Sequence, residues 1–482
     1  MTASNPVPAT PAPAPSSTRL LPWLVAVAFF MESLDTTILN TAVPAVAVAL
    51  RVTPLAMKAV LASYTLALAV FVPISGWMAD RFGTRRVFAS AIGLFTLGSL
   101  LCGLCSNIHL LVACRIIQGM GGAMMVPVGR LTLVRSFAKS DLLRVMSFVS
   151  VPALVAPMLG PVAGGLIVGY AHWRVIFFLN IPIGLLGLVM VYLHLPDFRE
   201  EHVHPLDFVG LVLFGSGIAL LSYVLEVFGE HELSSREITG LLALSAALLA
   251  AYWVHARQLE FPLLKLHLFD IRTFRTAVNG SFFTRLGIGG VPFLLPLLYQ
   301  TGLGFTPVQS GMLIVPQAVA AMGVKAILRK LLARIGYKGV LISNTVAIGL
   351  LLMMLTTIHL HTPVWQIVTI AFFYGACTSL QYTTMNTLVY ADIEESDASS
   401  ASSIASTMQQ MSISFGVALA GLATVFFVPG KAYSDSALMI AGIHKAFLAL
   451  GALTLVSTLV FAGLKRGDGS IVSEHHIMHP DG

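Results

Sequence analysis

Charge is scarce in this chain. Only 10% of its 482 residues are Asp, Glu, Lys or Arg, where a soluble domain carries about 25%. A water-soluble fold of this length is excluded, because too few polar side chains remain to cover it. The formal net charge of +6 therefore does not mean nucleic acid: the cations sit in short stretches between apolar runs. There are four cysteines, Cys102, Cys105, Cys114 and Cys377, all in apolar stretches. The Cys102/Cys105 pair has CxxC spacing, but packing accounts for it better than redox or metal chemistry. No GxxxxGK[ST] phosphate loop occurs, which argues against an ATP-driven pump. The apolar runs are continuous rather than alternating, which argues against a β-barrel. "HVHPLD" (202–207) has acyltransferase-like spacing and "HHIMH" (475–479) could hold a metal. Short patterns with no globular domain around them arise by chance. No enzyme activity, cofactor or metal site is expected.

What fills the chain is hydrocarbon. Hydrophobic residues make up 56% and the mean hydropathy is +0.85. Runs of about 20 apolar residues recur, each long enough to cross a bilayer as a helix. Fourteen such spans are expected, near 20–42, 55–79, 87–106, 109–131, 146–168, 175–195, 208–228, 238–256, 277–300, 308–328, 339–358, 364–389, 402–428 and 441–464. An even number puts both termini on one side. Most Lys and Arg fall in the tails and the even-numbered connections, while the odd ones hold only Arg51, Lys58, Arg174, Arg236, Lys431 and Lys445. Both tails are thus expected in the cytoplasm. The acidic "DIEESD" (392–397) lies on the same side, where acids count little. Residues 1–19, rich in Pro, Ala and Thr, read as a disordered tail with no cleavable signal peptide.

Two loops echo each other. "GWMADRFGTRR" (76–86) follows span two and "RKLLARIGYK" (329–338) follows span ten. Each carries a basic cluster around a turn glycine, Gly83 and Gly336. The expected organisation is a six-helix bundle over 20–195, a linker with two added helices over 196–275, a second six-helix bundle over 276–464 and a cytoplasmic tail over 465–482. Internal repeats of this kind build many secondary transporters.

The motifs in these segments resemble a known family. "GWMADRFGTRR" matches the loop motif of the major facilitator superfamily, with Gly76, Asp80, Arg81, Gly83, Arg85 and Arg86 in place. "LDTTILNTAVP" (34–44) resembles the first-helix motif of its fourteen-helix drug:proton antiporter branch. "RIIQGMGGA" (115–123) resembles the fourth-helix motif, and "GPVAGG" (160–165), with Gly160, Pro161, Gly164 and Gly165, the exporters' fifth-helix packing motif. "WRVIFFLNIPIG" (173–184) is typical of the same branch. The likeness runs in order over nearly the whole chain and is closest to MdtD-like and HsrA-like members. It implies an all-α integral membrane fold, two six-helix bundles plus two inserted helices, exporting small molecules against protons. Two motifs depart from the pattern. Ser147 and Ala156 stand where the fifth-helix motif has further glycines, and Ala333 stands in the second loop where the first has Asp80.

The acids inside span one sharpen this expectation. An ionised group in hydrocarbon must be paired or face a polar cavity. At 1.5 Å per residue Asp35 lies about 22 Å beyond Leu20, and Glu32, Thr36 and Asn40 share its face. Arg115 enters from the opposite side to about 10 Å, a similar depth, with Gln118 on its face. Two acids near one arginine cannot both be balanced. One stays ionised against Arg115 and the other exchanges a proton. The resemblance implies proton coupling at the same residues. Glu32, Asp35, Asn40, Gln118 and Arg285 are the expected substrate contacts, with Met120, Met124, Met125, Phe29 and Phe30 as an adaptable lining for amphipathic cations. Lys325 reads as a snorkelling cation and Glu226 as a helix-end charge. Asp80, at the C-terminal end of span two, suits a latch to the N-terminus of span thirteen. The expected function is proton-coupled export of amphipathic small molecules across a bacterial inner membrane by alternating access. The alternatives are export of a specific metabolite or siderophore and, from another class, a membrane-integral enzyme. The expected partners are a small-molecule substrate, protons and the lipid bilayer, with the chain a monomer.

Overall fold

The computed structural model describes residues 17–137, 139–200, 203–227, 234–394, 397–427, 436–465 and 467–468. The histidines of "HHIMH", Lys431 and the first 16 residues lie outside these. Among the described residues the long helices are α1 (Ser17–Leu50), α2 (Pro54–Phe82), α3 (Thr84–Leu104), α4 (Ile108–Ser136), α5 (Lys139–Tyr170), α6 (Val175–His194) and α7 (Phe208–Val227). They continue as α8 (Ser235–Gln258), α9 (Arg272–Gly302), α10 (Pro307–Gly323), α11 (Lys325–Met354), α12 (Val364–Leu388), α13 (Ala398–Phe427) and α14 (Ser436–Ala462). Among the described residues, length and hydropathy mark 12 segments as able to cross a membrane. The two long helices outside that set, α5 and α12, have 32 and 25 residues and pack among the others.

Helices are the only open-ended way to satisfy backbone amides in lipid. Their starts are set by side chains. Asn107 accepts from Leu110 N at 2.8 Å to cap α4, while Ser234 with Glu237 and Thr306 with Gln309 form capping boxes on α8 and α10.

The packing repeats. In the first bundle α1 lies on α5, α4 on both α2 and α3, and α3 on α6. In the second α9 lies on α13, α12 on both α10 and α11, and α11 on α14. Each pair matches its counterpart eight helices earlier, which leaves α7 and α8 as the inserted pair, packed on each other, with α7 also on α2 and α13. The two loop glycines also correspond. Gly83 (φ 94°) and Gly336 (φ 67°) turn the chain through a conformation that L side chains resist. The backbone stays helical through Val324, so the second turn falls at Gly336, inside α11.

The halves meet along α2–α13 and α5–α10. On the side away from the termini, here the distal side, they are in close contact. Gln300 Nε2 donates to Thr41 O at 2.8 Å from a π-helical turn ending α9. Nearer mid-membrane, Ser414 Oγ donates to Ala62 O at 3.0 Å. On the terminal side a vestibule separates the halves.

The segment before α7 is a fastening, not an enzyme site. Asp207 accepts from His255 Nε2 at 2.8 Å, Gly210 N at 2.7 Å and Leu263 N at 3.1 Å. Burial pushes its carboxyl up, but the bonds from His255 and the two amides outweigh that and hold it below the usual carboxylate range. His204 stacks on Phe261 at 3.6 Å instead of approaching Asp207.

Candidate functional site

Asp35 is the centre of a buried polar cluster contributed by four helices. Its Oδ2 accepts from Arg115 Nη1 at 2.6 Å. Its Oδ1 accepts from Gln118 Nε2 at 2.8 Å and Asn180 Nδ2 at 2.9 Å. Gln118 Oε1 in turn accepts from Arg115 Nη1 at 2.8 Å. Ser99 Oγ accepts from Asn180 at 3.0 Å and donates to Phe177 O at 2.9 Å. Tyr64 of α2 stacks under the Arg115 guanidinium at 4.1 Å. Asp35 and Arg115 are each 1% exposed. The equal depth inferred from helix rise is what lets them meet. Three donors on one carboxylate tie α1 to α4 and α6, and Ser99 adds α3.

Glu32 is not part of that cluster. It shares a helix face with Asp35 but sits one turn closer to the terminal side, where it lines the vestibule with Arg130, Asn386, Gln409 and Gln410. Among the described residues no cation lies within 4 Å of it. The expected three-way grouping of Glu32, Asp35 and Arg115 is thus divided into a closed pair and an open acid. Thr36 Oγ1 turns back onto Glu32 O at 2.8 Å, as mid-helix threonines do.

The cavity continues to the centre, between Thr36, Asn40, Tyr64 and Arg115 of the first half and Arg285, Gln317, Tyr374 and Tyr382 of the second. Arg285 is 2% exposed. Its Nε donates to Ser281 Oγ at 3.0 Å and its guanidinium stacks on Tyr382 at 3.8 Å. Lys325 lines the adjoining pocket with Asn40, Gln317 and Asn386.

One expectation about the lining is corrected. Phe29, Met124 and Met125 are buried in the first bundle's core, and neither Met120 nor Phe30 lines the central cavity or the vestibule. Composition identifies apolar residues but not which helix face they occupy. A net acidic pocket is not found at the centre either: Asp35 is neutralised by Arg115, and Arg285 faces the same space.

The loop motif and the glycine motif separate by partner. Asp80 Oδ1 accepts from Arg135 at 3.0 Å, and Arg135 also reaches Glu200 at 2.8 Å. Arg85 Nε donates to Leu195 O at 2.6 Å and its amide to Asp197 Oδ1 at 3.0 Å. Thr84 exchanges bonds with Phe198 on the linker 195–200. Arg81 and Arg86 are exposed, and a side chain added at Gly76 would meet open space. Thus in this conformation the loop grips the linker of its own half. Gly160 and Gly164 press on Thr37 and Ile38 of α1, whereas Gly165 presses on Pro307 and Val308 of α10 across the interface. Pro161 belongs to the same contact, its carbonyl lying over Gly311.

Sequence reasoning missed Asn180, Ser99, Tyr64, Tyr382 and Gln300. Asn180 carried a usable signal, a lone amide in an apolar run that must find a partner in lipid.

This geometry can be set beside known proteins. The family model of the Major Facilitator Superfamily matches residues 25–417. The MdtD protein of Serratia proteamaculans (strain 568), named for multidrug resistance, is 40% identical over 426 residues, covering 88% of each chain. Its namesake in Escherichia coli O157:H7 is 39% identical over 448 residues, 93% of this chain and 95% of that one. Among solved structures, the POT family transporter PepTSo aligns with TM-score 0.68 at 13% identity, covering 95% of this chain and 99% of that one. A D-xylose-proton symporter aligns with TM-score 0.67 at 14% identity over 93% and 98%. The structural likeness gives the fold, and the sequence matches give the kinship: the chain belongs to the Major Facilitator Superfamily of secondary transporters, as a multi-pass membrane protein that moves small molecules and is not an enzyme.

Proposed function

We propose that this chain is a proton-coupled antiporter of the bacterial inner membrane, with both termini in the cytoplasm, exporting amphipathic small molecules as a monomer. The observation that carries the reading is the division of labour on α1. Asp35 has three donors, including Arg115, and Glu32 has no cation within 4 Å among the described residues while lining the open vestibule. A carboxylate closed in by three donors has no open path to water; one that lines the vestibule, with no cation within 4 Å among the described residues, can take and release a proton. Glu32 then carries the proton, and the Asp35–Arg115 pair sets the local field and holds the bundle.

Alternating access supplies the rest. The bundles 20–195 and 276–464 move as bodies about the α2–α13 and α5–α10 seams, with 196–275 as the connection. In the distal-open state Glu32 takes a proton from outside. In the terminal-open state it releases that proton to the cytoplasm as cargo binds. Asp80, paired here with Arg135, is free to engage α13 when the vestibule closes. The multidrug names of the MdtD relatives support a broad cargo range.

Efflux of a compound panel from cells expressing the chain tests this. Collapse of the proton gradient should abolish efflux. Efflux that survives without the gradient and tracks ATP would overturn the reading.

A further inference from the structure

The central cavity holds more positive than negative charge. Asp35 and Arg115 cancel at 2.6 Å. Arg285, on the opposite wall, is 2% exposed, and no carboxylate lies within 4 Å of it among the described residues. Its contacts are a hydroxyl, Ser281 Oγ at 3.0 Å, and the Tyr382 ring at 3.8 Å. A guanidinium buried in a membrane protein without a counter-ion carries a large electrostatic penalty. Two further donors beside it are unsatisfied. Tyr374 Oη and Arg115 Nε are buried with no hydrogen-bond partner among the described residues, and both side chains line the same space. Three donor-bearing side chains, among them Arg285 with no carboxylate partner among the described residues, line one cavity whose other walls are Ile288, Phe293 and Val417.

We propose that this cavity binds its cargo through an anionic group, a carboxylate, held on Arg285 and Tyr374, with the cargo's apolar body against the aromatic and aliphatic wall. Planar bidentate pairing suits guanidinium to carboxylate, and Arg285 lines the cavity with its guanidinium stacked on Tyr382. The inference rests on the export reading only in taking this cavity as the cargo site. It reverses the cationic preference expected from the acids of span one, because those acids are either neutralised or face the vestibule.

The test is equilibrium binding to the purified full chain in nanodiscs, with no proton gradient, so that it stays distinct from the test of proton coupling. The probes are 2-naphthoate and 2-naphthylmethylammonium, similar in size and opposite in charge. At pH 7 the parent should bind the naphthoate tighter by about tenfold or more. Arg285→Gln should remove that preference, Arg285→Lys should keep its sign at weaker affinity, and Tyr374→Phe should weaken naphthoate alone. If Arg285→Gln does not fold, the parent's preference, Arg285→Lys and Tyr374→Phe still decide. Equal binding of both probes, tighter ammonium binding, binding of neither, or unchanged naphthoate affinity in a folded Arg285→Gln would overturn the proposal. Equal binding would instead mark Arg285 as awaiting a carboxylate of this chain in the other conformation.

Discussion

Adjacent glycines on α5 should fail in different ways when each gains one methyl. At Gly165 the new Cβ would lie 2.9 Å from Pro307 C and 3.1 Å from Val308 Cα, closer still to the Pro307 carbonyl oxygen. Carbon contacts settle at about 3.5–4.0 Å, so α10 must retreat by about 0.5–1 Å. Both neighbours are backbone and cannot rotate away. Overpacking of this kind costs about 1–3 kcal/mol. That cost falls on the state in which the halves touch distally, because the other state opens the distal end of the α5–α10 seam, where Pro307 and Val308 begin α10. The conformational equilibrium should therefore shift toward distal-open by about 5–150-fold. At Gly164 the methyl would instead meet Ile38 O and, at 3.3 Å, Ile38 C of α1. Those helices belong to one bundle and stay together in both states, so Gly164→Ala should lower thermal stability and leave the equilibrium alone. The reporter is Asn40→Cys, in the central cavity, with the half-buried Cys377 replaced by alanine; the other three cysteines are buried. Labelling by a membrane-impermeant maleimide from the distal side should accelerate in Gly165→Ala and not in Gly164→Ala. Equal rates in both variants would refute the assignment of these two glycines to separate interfaces.

The same network of contacts sets three other outcomes. Asp80→Asn should slow turnover while leaving cargo affinity unchanged, as read from transport kinetics beside equilibrium binding, because Asp80 bonds Arg135 and not the cavity. Asp35→Asn leaves Arg115 buried without a counter-ion and should destabilise the fold by about 3–5 kcal/mol. Asp35→Asn combined with Arg115→Gln should regain much of that stability in thermal melts without regaining transport. Asp207→Asn should lower thermal stability at pH 7. Since the Asp207 carboxyl is held below its usual range, its contribution is full above the unfolded value of about 4 and vanishes as pH falls through the lower folded value. The gap between parent and variant should close in that acidic window.

Intramembrane polar residues were legible in the sequence because hydrocarbon makes each one conspicuous. Helix rise alone brought Asp35 and Arg115 to one depth, and Gln118 followed from its spacing to Arg115. The repeat was legible at Gly83 and Gly336, since a turn with positive φ selects glycine. What stayed hidden depended on direction around a helix or on partners remote in sequence. Glu32 and Asp35 share a face, yet one turn along the axis separates a buried pair from an open vestibule. Met124, Met125 and Phe29 are apolar wherever they point, so composition could not separate core from cavity. Asp80 and Arg85 hold the linker through contacts to Glu200 and Leu195, more than 100 residues away in the chain, a distance that no local pattern encodes.

The central claim is that Glu32 carries the proton while Asp35 remains ionised against Arg115. Proton release by purified protein in weak buffer, on addition of whichever panel compound gives the parent its largest signal, tests it most directly. Glu32→Gln should bind that compound, melt like the parent and release no protons. A Glu32→Gln protein that releases protons as the parent does would contradict the account, and would return the proton to the cluster around Asp35.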